Sequence, residues 1–123
     1  MRIAVSSSDG LRVCGHAGKA RRWRVRDADG GERDLNLTRE QLFHFWEGEA
    51  GSHPLEAVDF VVTGSAGEGF VQRLEKQGVK VLVTGEKRVD RIFDSLLAGC
   101  ELPPPPFNPL LLVCKLHDLF GRR

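Results

Sequence analysis

The chain has 123 residues, of which 41% are hydrophobic and 28% charged, a composition typical of one globular domain with its own core. Its formal net charge of +1 argues against general nucleic-acid binding, and no apolar run is long enough for a membrane span or a secretory signal. The three cysteines, Cys14, Cys100 and Cys114, cannot all pair within one chain, so we expect reduced thiols and a cytoplasmic location.

The N-terminal half predicts short strands separated by turns that contain glycine. These strands are predicted from Arg2 to Ser7, from Leu11 to Val13, over 22–26 and over 33–37. In the third of them, Trp23 and Val25 alternate with Arg22, Arg24 and Arg26. This is the period of a half-buried strand, so the three arginines are expected to share its solvent face.

The next segments predict helices and buried strands. Thr38 to Gln41 has the Thr-x-x-Gln form of a capping box, so a helix is expected over 39–47. Two compact strands then alternate with two amphipathic helices, which predicts a βαβ unit with a parallel strand pair. The strands are predicted at 59–63 and 79–84, and the helices end at Gly78 and Gly99. Beyond four prolines at 103–106, Asn108 and Pro109 are expected to cap and begin a final short apolar helix.

The stretch Cys14-Gly15-His16 combines chemistry suited to a metal centre. Thiolate and imidazole are ligands for zinc, copper and iron–sulfur centres, and a glycine lets the backbone approach a bulky ligand. Two residues do not make a site, however, and a half-buried cysteine beside a surface histidine accounts for the same residues.

A basic run lies beside that stretch. Residues 12–26 hold six basic side chains and no acid, namely Arg12, Lys19, Arg21, Arg22, Arg24 and Arg26. Such a run attracts anions, although a solvated strand face accounts for it equally well. Ligand atoms next to cations favour an anionic metal species over a bare divalent cation, which the arginines would repel.

The loop from Gly64 to Gly69, GSAGEG, joins a strand to a helix. Backbone N–H groups collect anions at that position, but the loop lacks the lysine and hydroxyl of a P-loop, and Glu68 repels phosphate. Tight turning and close strand–helix packing is the competing interpretation.

Other histidines and carboxylates carry weaker signals. Cys114 and His117 could complete a four-ligand zinc site with Cys14 and His16, although neither pair has a standard spacing. The remaining histidines, His44 and His53, are interpreted as surface or cap residues. No catalytic motif is present, and Asp9 and Asp59 are too few to supply a two-metal hydrolase centre.

The order of these motifs resembles the dinitrogenase iron–molybdenum cofactor biosynthesis family, the small cluster-binding domains of NifX and NafY type. The resemblance covers residues 1–99 and is carried by Arg2 to Ser6 with Asp9-Gly10, the run from Val13 to Trp23, Asp27, Asp59 to Gly69, and Gly78 to Val81. Ala17 stands where the family usually has phenylalanine, and Ser65-Ala66 stand where it has glycine and a hydrophobic residue.

The resemblance implies a ribonuclease H-like α/β fold, a mixed five-stranded sheet flanked by helices. It also implies a non-enzymatic carrier of iron–molybdenum cofactor, its precursor or a related metal–sulfur cluster, with nitrogenase or cofactor-assembly proteins as partners. The family's loop histidine corresponds to His16 and its glycine loop to Gly64, Gly67 and Gly69. The full set of expected binding residues is His16, Cys14, Gly15, Lys19, Arg22, Arg24, Arg26, Gly64, Gly67 and Gly69, with His16 and Cys14 as metal ligands.

The chain is accordingly divided into a cluster-binding domain, 1–99, and a tail, 100–123, with a proline-rich spacer and an apolar helix. Two alternative functions are considered. The chain could be a protein-interaction module that uses this tail, or a small zinc-binding protein. A phosphate-ester hydrolase on the same scaffold would need clustered carboxylates, so the separation of Asp9 from Asp59 tests it.

Overall fold

The structure, a computed structural model, describes residues 1–42, 46, 48 and 52–105. The strands are β1 (Arg2–Ser6), β2 (Arg22–Asp27), β3 (Glu32–Asn36), β4 (Phe60–Thr63) and β5 (Lys80–Val83). The helices are α1 (Glu68–Lys76) and α2 (Val89–Leu97), and short 3-10 turns span Ala17–Lys19, Arg39–Gln41 and Pro54–Ala57.

The strands form one mixed sheet in the order β3-β2-β1-β4-β5. β1 is parallel to β4 and β4 to β5, whereas β2 and β3 pair in antiparallel fashion. The carboxyl ends of β1 and β4 therefore lie side by side at one edge of the sheet. The loops that leave these two strands, 7–21 and 64–67, meet at that edge.

Each face of the sheet carries its own apolar core, because side chains alternate along a strand. Ala4, Trp23 and Val61 point to the side of α1 and pack with Phe70 and Leu74. The opposite side is built by Ile3, Val5, Val62, Val89, Ile92 and Phe93. The result is the expected α/β arrangement with a helix on each face.

The predicted strand from Leu11 to Val13 is wrong. Only Arg12 makes an isolated bridge, with Arg88. The Asp9 carboxylate accepts hydrogen bonds from the N–H groups of Leu11 and Arg12, both at 2.8 Å, so this backbone folds around the carboxylate. These two bonds, that of Arg12 first, lower the pKa of Asp9.

The predicted helix over 39–47 begins as the 3-10 turn Arg39–Gln41, and Leu42 then adopts an extended conformation with φ −64° and ψ 134°. The predicted cap is present in part, since the Thr38 N–H donates to the Gln41 side chain at 3.0 Å. The Gln41 carbonyl contacts the His53 imidazole, which occupies the acceptor that a continuing helix would use. Residues 43–45, 47 and 49–51, including His44, lie outside the described part of the chain.

The three arginines of β2 do share one face, but that face is not simply solvent. Arg24 lies opposite Val5, and Arg26 opposite Ile3, so they stand on the α2 side of the sheet. The guanidinium of Arg26 lies 4.7 Å from the centre of the Phe93 ring. Acidic side chains of β3 pair with the arginines, which are half-buried as a consequence.

The proline-rich segment begins by folding back onto the end of β5. The Pro103 carbonyl accepts hydrogen bonds from the Thr84 hydroxyl at 2.6 Å and from the Gly85 N–H at 3.2 Å. The predicted final helix, with Cys114 and His117, lies outside the described residues. Within the described ranges, the helices are too short and too polar to span a bilayer.

Candidate functional site

The loop that carries Cys14 and His16 is fastened to the ends of β1 and β4 through its backbone. The Cys14 N–H donates to the Ser6 carbonyl at 3.0 Å, and the Cys14 carbonyl accepts from the Gly64 N–H at 3.0 Å. The buried Ser6 hydroxyl donates to the same Cys14 carbonyl at 2.7 Å. Cys14 is therefore held where two neighbouring strands end.

Ser65 holds the next two residues of this loop. Its hydroxyl accepts from the His16 N–H at 2.8 Å, and its carbonyl accepts from the Ala17 N–H at 3.0 Å. His16 adopts the left-handed conformation with φ 55° and ψ 55°, and its side chain is exposed. Two loops from different parts of the chain thus position the imidazole.

Close packing explains two of the predicted glycines. A Cβ on Gly15 would lie 2.5 Å from the Ser65 hydroxyl, and one on Gly64 would lie 3.3 Å from the Cys14 carbonyl. Gly67 and Gly69 differ, because a Cβ on either would meet no atom within 4 Å. Close packing therefore accounts for Gly15 and Gly64, while Gly67 and Gly69 leave open space beside the loop.

That open space belongs to a cavity of about 730 Å³ between the loop, the 64–67 turn and α1. The described residues that line it are His16, Ala17, Gly18, Lys19, Ser65, Ala66, Gly67, Gly69, Phe70 and Arg73. Lys19 and Arg73 are cations, and no carboxylate belongs to this described lining. The cavity is of a size that accommodates a small ligand, and its charge favours an anion.

A smaller cavity of about 330 Å³ lies on the other side of the same loop. Cys14, Gly15 and His16 line it together with Lys19, Arg21 and Arg22, and with Ser8 and Ala20. Arg22 is also ion-paired with Asp34, at 3.0 Å. His16 and Lys19 line both cavities and separate them.

The structure thus brings together most of the residues expected from the sequence, but not all of them. Arg24 and Arg26 line neither cavity. They are paired across the sheet, Arg24 with Asp34 at 2.9 Å and Arg26 with Glu32. The strand period correctly placed the two arginines on one face, but pairing with β3 directs them away from the loop.

Sequence reasoning missed Phe70 and Arg73, which lie three positions apart on α1 and line the larger cavity. Their i, i+3 spacing places them on one helix face. The sequence marks Phe70 only as part of an apolar helix face, and it stacks on Trp23 with ring centres 6.3 Å apart. Nothing in the local sequence around Arg73 indicates that its helix face borders a ligand cavity.

Asp9 and Asp59, the two carboxylates considered for a hydrolytic centre, lie at opposite ends of β1. Asp59 accepts the Arg2 N–H at the amino end of β1, at 2.7 Å, whereas Asp9 follows the carboxyl end of that strand. Among the residues that the structure describes, no three histidine, cysteine or acidic side chains form a group that could hold a metal ion. Asp9 and Asp59 therefore do not supply the clustered carboxylates that the two-carboxylate hydrolase would need.

Fold and site together define a small α/β binding domain with a cationic cavity at the carboxyl ends of parallel strands, where such folds commonly bind ligands. The dinitrogenase iron–molybdenum cofactor family matches residues 1–99, and the chain belongs to this family. Membership associates the chain with handling of that cofactor. A comparison with curated proteins finds no matching sequence.

Three solved structures share the fold. PH0822 is 15% identical with a TM-score of 0.65, over 83% of this chain and 96% of its own. TM1290, a NifB-like protein of the DUF35 family from Thermotoga, is 17% identical with a TM-score of 0.62, over 87% and 96%. The apo form of the orange protein from Desulfovibrio gigas is 21% identical with a TM-score of 0.59, again over 87% and 96%. At these identities the likeness concerns the fold alone.

Proposed function

We propose that this protein is a non-enzymatic carrier of iron–molybdenum cofactor, its precursor or a related metal–sulfur cluster during cofactor assembly. It acts in the cytoplasm and exchanges its cargo with nitrogenase or with cofactor-assembly proteins. One observation carries the proposal: an exposed imidazole and two cations line a cavity whose described lining contains no carboxylate. Membership of the iron–molybdenum cofactor family supports the same cargo.

The donor set suits a cargo that is held and then released. His16 supplies one imidazole ligand, and Cys14 could supply a thiolate from the smaller cavity. Two protein ligands are fewer than the four that close a permanent zinc or iron–sulfur site. The positive charge of the cavity lining supplies the remaining attraction, so the cargo can leave when a partner offers more ligands.

The positions of the basic side chains indicate which of them contact the cargo in this proposal. Lys19 lies between both cavities and Arg22 lies at the smaller one, so these two belong to the proposed site. Gly67 and Gly69 provide room beside His16. Arg24 and Arg26 are left out of the proposal because they line neither cavity; they pair with carboxylates of β3.

The sheet order β3-β2-β1-β4-β5 supports assignment to the ribonuclease H-like class. The binding unit in this proposal is residues 1–99, which the family matches. Residues 100–123 lie outside the matched range, and in this proposal they are not required for cargo binding.

The test is anaerobic mixing of the apo-protein with isolated iron–molybdenum cofactor and, separately, with its precursor, read by native gel shift and by visible and EPR spectra. We expect the wild-type protein to take up at least one of them and His16→Ala to lose most of that uptake. A Cys14→Ser variant separates ligation from packing, because serine keeps the size but removes the soft ligand. Equal uptake by wild type and His16→Ala would remove His16 from the mechanism, and no uptake by the wild type would refute the carrier function for these ligands.

A further inference from the structure

Arg73 is the cation of the larger cavity that the fold holds in place, and we infer that it recognises the negative charge of the cargo. This inference rests on the proposed function, in which the cargo is an anionic metal–sulfur species. It adds a residue that the sequence did not single out, and Glu56 is its positioning partner.

Glu56 is a buried acid that lies beside the cation Arg73. It lies in the 3-10 turn Pro54–Ala57, and its side chain is 1% exposed. Among the described residues, neither of its carboxylate oxygens has a hydrogen-bond partner. The Arg73 Nε lies 3.8 Å from Glu56 Oε1. An ionised carboxylate in such a place requires a compensating positive charge, which Arg73 supplies.

His53, which also lies near Glu56, does not supply the positive charge in place of Arg73. The His53 Nδ1 accepts the Leu55 N–H at 3.0 Å, so that nitrogen carries no proton. Burial also lowers the pKa of His53. The imidazole is therefore neutral, and the guanidinium is the charge that Glu56 faces.

This pairing fixes the guanidinium at the cavity wall. If Arg73 swung into solvent, it would leave the Glu56 carboxylate buried without a counter-charge, so the side chain is confined although it is 31% exposed. Lys19, the other cation of the cavity, is an exposed residue of the loop itself. A confined guanidinium loses less conformational freedom on binding an anion than an exposed lysine does.

The ligand class follows from this arrangement. His16 offers a nitrogen ligand, Phe70 and Ala66 offer apolar surface, and Arg73 offers a fixed positive charge. A compact metal–sulfur polyanion matches all three, because its sulfides are weakly hydrated and accept hydrogen bonds from a guanidinium. Bare metal cations do not, because Arg73 and Lys19 repel them.

Tetrathiomolybdate, a compact metal–sulfur dianion, is the probe for this inference, titrated anaerobically into the full chain and followed by its visible absorption. We expect Arg73→Gln to raise its Kd about tenfold or more, the range for loss of a hydrogen bond to a charged group. Arg73→Lys should fall between Arg73→Gln and the wild type, because lysine keeps the charge and loses the fork of donors.

Two further variants make the test decisive. Lys76→Gln removes one positive charge from the same helix outside the described cavity lining, and should change the Kd less than about twofold. Glu56→Gln/Arg73→Gln leaves no unpaired buried carboxylate and no change in net charge, so it keeps the measurement possible if Arg73→Gln does not fold. This double variant should still bind about tenfold more weakly.

Wild-type affinity in the double variant would overturn the inference, as would a Lys76→Gln effect as large as that of Arg73→Gln. Failure of the wild type to bind tetrathiomolybdate would overturn it as well. The carrier function fails separately, when the wild type does not take up the cofactor or its precursor. A protein that takes up the cofactor but binds the probe equally well with and without Arg73 would retain the function and lose this inference.

Discussion

His16 has a backbone conformation that its side chain does not favour. It is the one residue other than glycine with a positive φ among those that the structure describes. The left-handed region costs a residue with a Cβ about 1–2 kcal/mol relative to its usual conformations. The flanking hydrogen bonds from His16 and Ala17 to Ser65 hold the loop in this shape. Strain that the surrounding contacts maintain is common where a side chain serves a ligand.

This conformation predicts a difference between two variants that both lack the imidazole. His16→Gly should be more stable than His16→Ala by about 1 kcal/mol, because glycine adopts a positive φ without a Cβ clash. The free energy of unfolding from urea titration measures the difference, and both variants should bind cargo equally weakly. Equal stability of the two would mean that the loop relaxes once the histidine is removed.

At the scale of elements, the site is made by two interlocked loops. The loop after β1 donates backbone N–H groups to Ser65, and the loop after β4 donates the Gly64 N–H to Cys14. Residues 13–16 and 64–67 of these loops lie in neither a helix nor a strand. The hydrogen bonds between the two loops therefore hold them together as strand pairing would. The close packing of the loops depends on the small residues Gly15 and Gly64.

Gly15→Ala should destabilise the fold by about 1–3 kcal/mol, since the new Cβ would displace the Ser65 hydroxyl and break its bond to His16. The cost should be smaller in a Ser65→Gly background, where the clash is absent, and a double-mutant cycle in urea measures the difference. Gly18→Ala is the matched control, because no atom lies within 4 Å of its Cβ position, and it should change stability by less than about 0.5 kcal/mol. Additive effects of Gly15→Ala and Ser65→Gly would argue against the interlocking contact.

At the scale of the whole molecule, a neutral histidine fastens the connection between the β-hairpin half and the βαβ half. His53 is 1% exposed and begins the 3-10 turn Pro54–Ala57 by accepting the Leu55 N–H. Its other ring nitrogen contacts the carbonyl of Gln41, twelve residues earlier in the chain. Burial lowers the pKa of His53 and outweighs the opposite effects of the Gln41 contact and of Glu56, while Arg73 lowers it further.

The lowered pKa predicts acid sensitivity. In the unfolded chain His53 takes up a proton near the ordinary histidine pKa of 6.5, whereas in the folded protein it stays neutral to lower pH. The unfolded state therefore binds more protons, and the free energy of unfolding falls as the pH drops below 6.5 towards the folded pKa. His53→Asn keeps a capping acceptor and does not titrate, so its urea midpoint should fall less between about pH 7.5 and about pH 5.5. A fall as steep as that of the wild type would assign the acid sensitivity to other groups.

Most of the strands and helix ends of this protein can be predicted from the local sequence. Alternation in Arg2–Ser6 and Arg22–Asp27, and the turn at Gly30 with φ 94°, determine the strands and the hairpin. The glycines Gly78 and Gly99, both with positive φ, end the helices as predicted. The order of the motifs suffices to indicate the family, and that resemblance pairs His16 with the glycine loop. Residues 11–13 and 39–47 are predicted less well, because a side chain, Asp9 or His53, takes the backbone groups that the regular element would use.

Only the tertiary structure decided which charged side chains line the two cavities. A strand period of two places Arg22, Arg24 and Arg26 on one face, but pairing with β1 and β3 determines that Arg24 and Arg26 meet carboxylates instead of the His16 loop. Arg73 and Glu56 belong to different elements and meet through the packing of α1 on the turn Pro54–Ala57. Local sequence encodes the conformation of each segment, whereas the neutralisation of a charge depends on partners that only the folded chain brings within a few ångströms.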